Sequence, residues 1–196
     1  MDNLKYSIFD ILAYFLPGSV LIFTIFSVTV LHKELTECDF KNAFKVVNEN
    51  SNIYTAILFV IISYTIGVIT NLLAPFLLKQ WERIRKINKG SKSSLNKSEK
   101  YVLVREFSKE NFSYIERWNA LKNMTSNLAL NMFLSSLLLW EFSGWYVFGG
   151  FLILVLLIKR ASDYHEWANI DLDNAVYRLK LEDHVSNLLL SKNKSE

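Results

Sequence analysis

The sequence has few of the residues that form disulfides or metal sites in small soluble proteins. Cys38 is the only cysteine, so the chain cannot form an internal disulfide, and no cysteine or histidine lies near it at the spacing of a structural metal site. Only 6 glycines and 2 prolines are present. No segment of roughly 20–50 residues repeats, which excludes solenoid and propeller folds.

Catalytic motifs are also missing. The 3 histidines are His32, His165 and His184, and no Gly-rich phosphate loop, nucleophile elbow or His-Glu-x-x-His pattern occurs. His32 is expected on the opposite side of a membrane from the other two, so the three cannot share one site. We therefore expect a protein that is not an enzyme and that binds neither a cofactor nor a metal.

The sequence does contain long apolar blocks separated by charged segments. Hydrophobic residues make up 51% of the chain, and a membrane-spanning helix needs about 20 of them in a row. The last two blocks are short, and a turn at Glu141–Gly144 between them avoids a charge at the bilayer centre, which costs at least about 2.5 kcal/mol. We predict an all-α fold, a four-helix transmembrane bundle with a helical cytoplasmic extension, with spans at residues 8–31, 53–78, 124–140 and 142–158.

The first block is interpreted as a retained span, because it has 24 residues and the apolar part of a signal peptide has about 7–15. Ser7 and Asp10 have the spacing of a capping pair and predict the start of the helix. Pro17 lies inside the span and removes one backbone hydrogen bond. A kink is therefore expected there, covered by neighbouring helices.

Lys and Arg are distributed unevenly between the predicted loops. One precedes the first span, three lie in 32–52, twelve in 79–123, none in the turn at Glu141 and six in 159–196. Because positively charged loops stay in the cytoplasm, both termini are predicted to be cytoplasmic. The chain is expected to lie in a bacterial inner membrane. Its predicted parts are a first transmembrane pair (1–78, periplasmic loop 32–52), a basic linker and helix (79–123), a transmembrane hairpin (124–158) and a cytoplasmic helical tail (159–196).

Segment 79–100 is strongly basic, with eight Lys and Arg against Glu82 and Glu99. It begins at the predicted bilayer surface, where each positive charge is worth about 1 kcal/mol near anionic lipid. Contact with RNA or DNA is the alternative, but only Trp81 is interleaved with these basic residues. We predict a patch that binds anionic lipid headgroups, formed by Lys79, Arg83, Arg85, Lys86 and Lys89.

Two polar stripes cross the predicted spans. Both repeat every four residues, which places their members on one face of a helix. Amides inside a bilayer should face protein or water, and small residues mark close helix packing. The stripes are therefore interpreted either as contacts and hydrogen bonds between helices or as the wet lining of a pore in a homo-oligomer. They consist of Ser63, Gly67 and Asn71 on the second span, and of Asn119, Asn123, Asn127, Asn131 and Ser135 before and within the third.

Helical patterns also occur in the predicted cytoplasmic segments. One pattern runs from Ser98 toward the third span, with an expected break near Ser108. Another follows the fourth span, where apolar residues alternate by four and three. One helix is therefore predicted from Phe142 to about Leu190.

The segment Arg160-Ala-Ser-Asp-Tyr-His165 resembles the signature of HEPN ribonucleases, in which two Arg-x4-His motifs meet, often across a dimer, at an RNA phosphate. The segment departs from that signature at Ala161, where the family usually has a polar residue. The resemblance implies a membrane-tethered ribonuclease with Arg160 and His165 as catalytic residues. An arginine at this position is also expected simply to anchor the span at the membrane edge.

The chain as a whole resembles the small multi-pass inner-membrane proteins encoded beside bacterial anti-phage systems, the nearest being the transmembrane accessory proteins of type VI-B CRISPR loci. The resemblance rests on size, on four spans, and on the segments Asp10-Ile-Leu-Ala-Tyr-Phe-Leu-Pro-Gly18 and Tyr164-His165-Glu166-Trp167. It implies a role in defence, through a membrane pore or by modulating an RNA-guided effector.

The leading functional hypothesis is a non-enzymatic, oligomeric inner-membrane accessory or effector protein, with a pore as its mechanism. The alternatives are the HEPN-like ribonuclease and an adaptor that holds a cytoplasmic protein partner at the membrane. The sequence alone does not rank the pore against the adaptor.

Overall fold

The computed structural model describes residues 2–34, 52–85 and 95–181, and its regular elements in these ranges are all α-helices. The all-α prediction is therefore confirmed for the part of the chain that the structure describes. The helices are α1 (Asp2–Glu34), α2 (Ile53–Ile84), α3 (Lys97–Phe107), α4 (Lys109–Leu138) and α5 (Gly144–Arg178).

Three helices are long and apolar enough to cross a membrane: α2, α5 and, within α1, Ile11–Thr29. Much of their apolar surface is exposed, as on α2, where Leu72 is 76% exposed and Phe76 is 62% exposed. Large exposed apolar surfaces are costly in water but suit a bilayer. The structure thus supports a membrane protein with three candidate spans, whereas α4, which contains residues 124–138 of the predicted span 124–140, is more polar.

The chain divides into two compact units. The first unit is drawn from Met1–Arg85 and Ala120–Ser162, and the second from Lys86–Asn119 and Asp163–Glu196. Helices α4 and α5 contribute residues to both.

In the first unit, α1 and α2 cross with their backbones in close contact. A Cβ on Gly18 would overlap the carbonyl of Ser63 and lie 2.9 Å from the amide nitrogen of Gly67. A Cβ on Gly67 would overlap the backbone of Tyr14 in turn. Edge-to-face contacts between rings flank the crossing, and Tyr14 and Tyr64 have centroids 5.8 Å apart. Glycine is needed at these two positions because only its missing side chain allows this approach.

The second unit has an apolar core of its own. Helix α3 begins at a capping box, in which Asn96 accepts from the backbone of Glu99 and Glu99 accepts from the backbone of Asn96. Aromatic and aliphatic residues pack around the core. Among them, the rings of Tyr101 and Phe112 have centroids 6.2 Å apart. The fully buried members are Val104, Ile115, Ala168, Leu172, Ala175, Val176 and Leu181.

Helix boundaries agree with the sequence in some places and correct it in others. The break near Ser108 is confirmed, since α3 ends at Phe107 and α4 begins at Lys109. The predicted start at Ser7 is wrong, because α1 begins at Asp2. The predicted single helix to about Leu190 is interrupted, since α5 ends at Arg178; residues 182–190 lie outside the described residues.

The end of α5 has a local cause. Lys180 has φ 48, in the left-handed region that commonly terminates a helix. The amide of Lys180 bonds to the carbonyl of Tyr177, which tightens the last turn. Between α4 and α5, residues 139–143 form the turn that separates the two helices, where Glu141 and Ser143 lie.

Candidate functional site

The polar residues of α4 in the first unit are turned inward. Between residues 124 and 138, the exposed and half-buried positions are all Leu, Met or Phe. Apart from Ala129 and Leu130, the buried positions carry hydroxyls or amides, and Asn127 and Asn131 have no exposed surface. The helix therefore presents an apolar outer face and a polar inner face, whose members are Thr125, Ser126, Asn127, Asn131, Ser135 and Ser136.

Asn127 compensates for the proline in α1. Pro17 has no N–H, so it cannot donate to the carbonyl of Ala13, four residues earlier in the helix. The Nδ2 atom of Asn127 donates to that carbonyl at 3.4 Å. A side chain of α4 thus satisfies the carbonyl that Pro17 leaves without its helical donor.

Asn131 connects α4 to α2. Its Nδ2 atom donates to the hydroxyl of Thr70 at 3.0 Å and to the carbonyl of Asn127 at 3.0 Å. The Thr70 hydroxyl donates in turn to the carbonyl of Gly67 at 3.1 Å. Since Gly67 is the residue that contacts Tyr14, these bonds tie α4 to the place where α1 and α2 cross.

Several buried acceptors in this polar group have no hydrogen-bond partner within the described residues. They include the Oδ1 atoms of Asn127 and Asn131, whose amide nitrogens are already engaged. Buried amide oxygens of this kind accept readily from water. The other unsatisfied atoms of the predicted stripes are Asn71 Oδ1, Ser63 Oγ and Ser135 Oγ.

The predicted asparagine ladder is divided between the two units. Asn123 is half-buried in the first unit, and its carbonyl accepts from the hydroxyl of Ser126 at 3.1 Å. Asn119 belongs to the second unit, where its Nδ2 atom donates to the hydroxyl of Tyr101. Burial raises the pKa of Tyr101, the bond from Asn119 lowers it, and the charge of Glu116 raises it. The ladder is therefore two separate sets of contacts.

The stripe on α2 lies on the buried face of that helix. Ser63 and Gly67 are buried, and Asn71 is half-buried. The other buried residues of α2 are Thr70, Ala74, Leu78 and Glu82. The stripe therefore lies where α2 packs against other parts of the first unit, opposite the exposed apolar surface.

The predicted basic patch is exposed where it is described. Lys79, Arg83 and Arg85 are all exposed near the end of α2, and an Arg83 guanidinium nitrogen donates to Gln80 Oε1 at 3.3 Å. Lys86 and Lys89 lie outside the described residues. Long basic side chains at exposed positions can place their charged ends in water or at a surface.

Arg160 and His165 both lie on α5. Arg160 is exposed, whereas His165 is half-buried in the second unit with Nε2 3.3 Å from Lys97 Nζ. Two side chains five residues apart on an α-helix point about 140° away from each other. The spacing in this helix therefore does not direct the two side chains toward one phosphate.

The second unit contains polar contacts that sequence reasoning missed. The indole nitrogen of Trp118 donates to Asp171 Oδ2 at 2.8 Å, and its ring stacks on that of Tyr164 at 5.8 Å. Lys100, which is buried, donates to Asp173 Oδ1 at 2.6 Å. For the Lys100–Asp173 pair, the signal in the sequence was a lysine within the apolar stripe of α3. The residues around this lysine did not identify its partner, which is 73 residues away.

No set of three or more His, Cys, Asp or Glu side chains that could hold a metal ion is found among the described residues. Comparison with known proteins gives no match to a protein family, to a curated protein or to a solved structure.

Proposed function

We propose that the chain is a non-enzymatic accessory protein of the bacterial inner membrane, inserted by four helices with both termini in the cytoplasm. The second unit would engage a cytoplasmic protein partner. Three apolar helices support the membrane setting. The fourth span is supported by α4, whose polar side chains are buried among its neighbours while its outer positions are apolar. A helix of this kind needs fewer apolar residues, because only its outer face meets lipid.

The main observation in support of the proposed mechanism is the set of hydrogen bonds that Asn127 and Asn131 make. Both amides are buried inside one chain, and they donate to α1, α2 and α4. A pore lined by these amides would instead require them to face a lumen. Their contacts support a structural role and so favour an adaptor over a pore. The resemblance to accessory proteins of type VI-B CRISPR loci would make an RNA-guided effector the class of partner.

The number of spans is tested by labelling single cysteines with a membrane-impermeant thiol reagent in spheroplasts. In a Cys38→Ser background, four spans predict that Glu141→Cys is labelled in intact cells and Arg178→Cys only after lysis. If α4 does not cross the membrane, Arg178→Cys should be labelled in intact cells and Glu141→Cys only after lysis. Tyr54→Cys, at the exposed start of α2, should be labelled in intact cells in both cases, which separates a missing span from an inverted topology.

The adaptor and the pore are separated by flux measurements on reconstituted vesicles. As an adaptor, the protein should give no dye or ion flux above empty vesicles, with or without candidate partners. As a pore, it should give flux that falls sharply in the Asn127→Leu, Asn131→Leu double variant, because apolar constrictions close pores by dewetting. Flux of that kind, with the oligomer intact on sizing, would overturn the adaptor proposal.

A further inference from the structure

Helix α5 carries a narrow seam of exposed residues in the second unit. The seam consists of Trp167, Ile170, Asn174 and Tyr177, which follow one another at spacings of three, four and three. Ile170 is 48% exposed and Tyr177 is 84% exposed. The core residues of the same helix, among them Leu172, lie on its opposite side. Trp167 also contacts the rings of Trp118 and Tyr164 in this unit, with centroids 5.1 Å and 5.6 Å apart. The other three seam residues lie away from the unit's own core.

The spacing of the seam is that of the a and d positions of a coiled coil. Trp167 and Asn174 take the a positions, and Ile170 and Tyr177 take the d positions. Trp167, Ile170 and Tyr177 place three large side chains along one exposed stripe, which a partner helix could cover. From this geometry we propose that the α5 seam pairs with the same seam of a second copy of this chain, in a parallel two-helix coiled coil.

Asn174 favours a second copy as the occupant. Its amide both donates and accepts, so two such amides facing each other across a two-fold axis satisfy one another. An asparagine at an a position is known to fix parallel, in-register dimers at some cost in stability. A partner with an apolar residue opposite Asn174 would leave the amide without a hydrogen bond on desolvation.

The charges beside the seam are partly complementary between two copies. Asp173 and Arg178 are five residues apart, the spacing that brings g and e′ side chains together in parallel helices. The side chain of Asp173 is 45% exposed although it binds Lys100, so it can also approach a second chain. One heptad earlier, Glu166 and Asp171 are both acidic, so the favourable charge pair lies at the Arg178 end.

The parallel arrangement follows from the membrane setting, and this step rests on the proposed function. Helix α5 is continuous from its apolar half to the seam. Two copies inserted in one bilayer therefore present their seams in the same direction and at the same height. Confinement to one membrane also raises the effective concentration of one seam for the other.

Disulfide cross-linking in reconstituted vesicles tests the pairing. In a Cys38→Ser background, the variants Asn174→Cys and Asn169→Cys introduce the same change on the same helix, on the seam and off it. Asn174→Cys should give about tenfold or more covalent dimer than Asn169→Cys upon oxidation, because only the first thiol is held against its own copy. Ile170→Cys should behave like Asn174→Cys.

Two outcomes would overturn the proposed pairing of the seams. One is equal cross-linking at positions 174 and 169, and the other is the absence of a dimer at 170, 174 and 177. In native membranes, cross-links of Asn174→Cys to a different protein alone would assign the seam to that protein instead. Alkaline carbonate extraction of the same vesicles tests the membrane proposal separately. If the chain is extracted, the membrane setting fails, and the cross-linking comparison in detergent solution still decides the seam.

Discussion

Asn127 donates to the carbonyl of Ala13, the acceptor in α1 that Pro17 deprives of its helical donor. The two residues are 114 positions apart in sequence. The proline in one helix and the amide in another therefore form one structural feature. Considered separately, neither the proline in α1 nor the buried amide in α4 has an evident structural reason.

A double-mutant cycle tests this relationship. Asn127→Leu should destabilise the protein by about 0.6 kcal/mol and by at most about 1.7 kcal/mol, the range of such bonds in membrane proteins. In the Pro17→Ala background the cost should shrink, because a backbone N–H is restored at position 17 for the Ala13 carbonyl. Unfolding in mixed micelles measures both costs, and equal costs in the two backgrounds would show that the residues are not coupled.

Substitution of the crossing glycine should be disruptive. Gly67→Ala places a methyl group against the backbone of Tyr14, so α1 and α2 must separate, at an expected cost of about 1–3 kcal/mol. Gly149→Ala is the matched control, since a Cβ there meets nothing within 4 Å. The control should be neutral or stabilising by up to about 1 kcal/mol. A similar loss of stability in both variants would contradict the close crossing.

Replacing Asp173 should lower the free energy of unfolding more than replacing its partner Lys100. Asp173→Ala leaves the buried ammonium of Lys100 without this carboxylate, and should cost about 2–3 kcal/mol, less than for a fully buried pair. Lys100→Met leaves only a carboxylate that water already reaches, and should stay within about 1 kcal/mol of the wild type. Thermal or chemical unfolding followed by circular dichroism ranks the two, and the reverse order would refute the burial asymmetry.

The bond from Trp118 to Asp171 should contribute to the second unit. Trp118→Phe keeps an aromatic ring beside Tyr164 but removes the indole donor, and should cost about 1–2 kcal/mol. Trp145→Phe, at a position 79% exposed, serves as the control and should have little effect. Unfolding monitored by far-ultraviolet circular dichroism avoids the change in fluorescence. Equal stability of the two variants would mean that the bond contributes nothing measurable.

The ribonuclease alternative makes an opposite prediction about Arg160 and His165. Under the accessory proposal, RNA incubated with the purified protein should be degraded no faster by the wild type than by the Arg160→Ala, His165→Ala double variant. Membrane abundance of both proteins provides the control for insertion. Cleavage by the wild type that disappears in the double variant would restore the enzyme interpretation.

Features set by local chemistry were accessible from the sequence. The break at Ser108 and the turn containing Glu141 follow from polar residues that interrupt helical patterns. The four-residue spacing also singled out Asn127 and Asn131 as unusual, because amides are costly in an apolar helix. The start of α1 was misplaced, since backbone hydrogen bonds extend a helix past its apolar block without requiring apolar side chains.

Contacts between distant segments were not accessible in this way. The sequence shows that Pro17 frees a carbonyl, but not that Asn127 supplies the donor. Likewise, Lys100 could have been paired with any carboxylate, and only the packing of the second unit selects Asp173. Such choices depend on how helices dock, which periodicity within one helix does not encode.

The bond between Asn127 and Ala13 also imposes an order on biosynthesis. The first helix leaves the ribosome with the carbonyl of Ala13 unsatisfied, and its donor is made 114 residues later. At 5–20 residues per second, this interval is roughly 6–23 seconds. During this time, water, lipid headgroups or the insertion machinery must solvate the exposed acceptor. A nascent chain truncated before α4 should therefore be a substrate for membrane quality control, because its first helix cannot yet complete its hydrogen bonds.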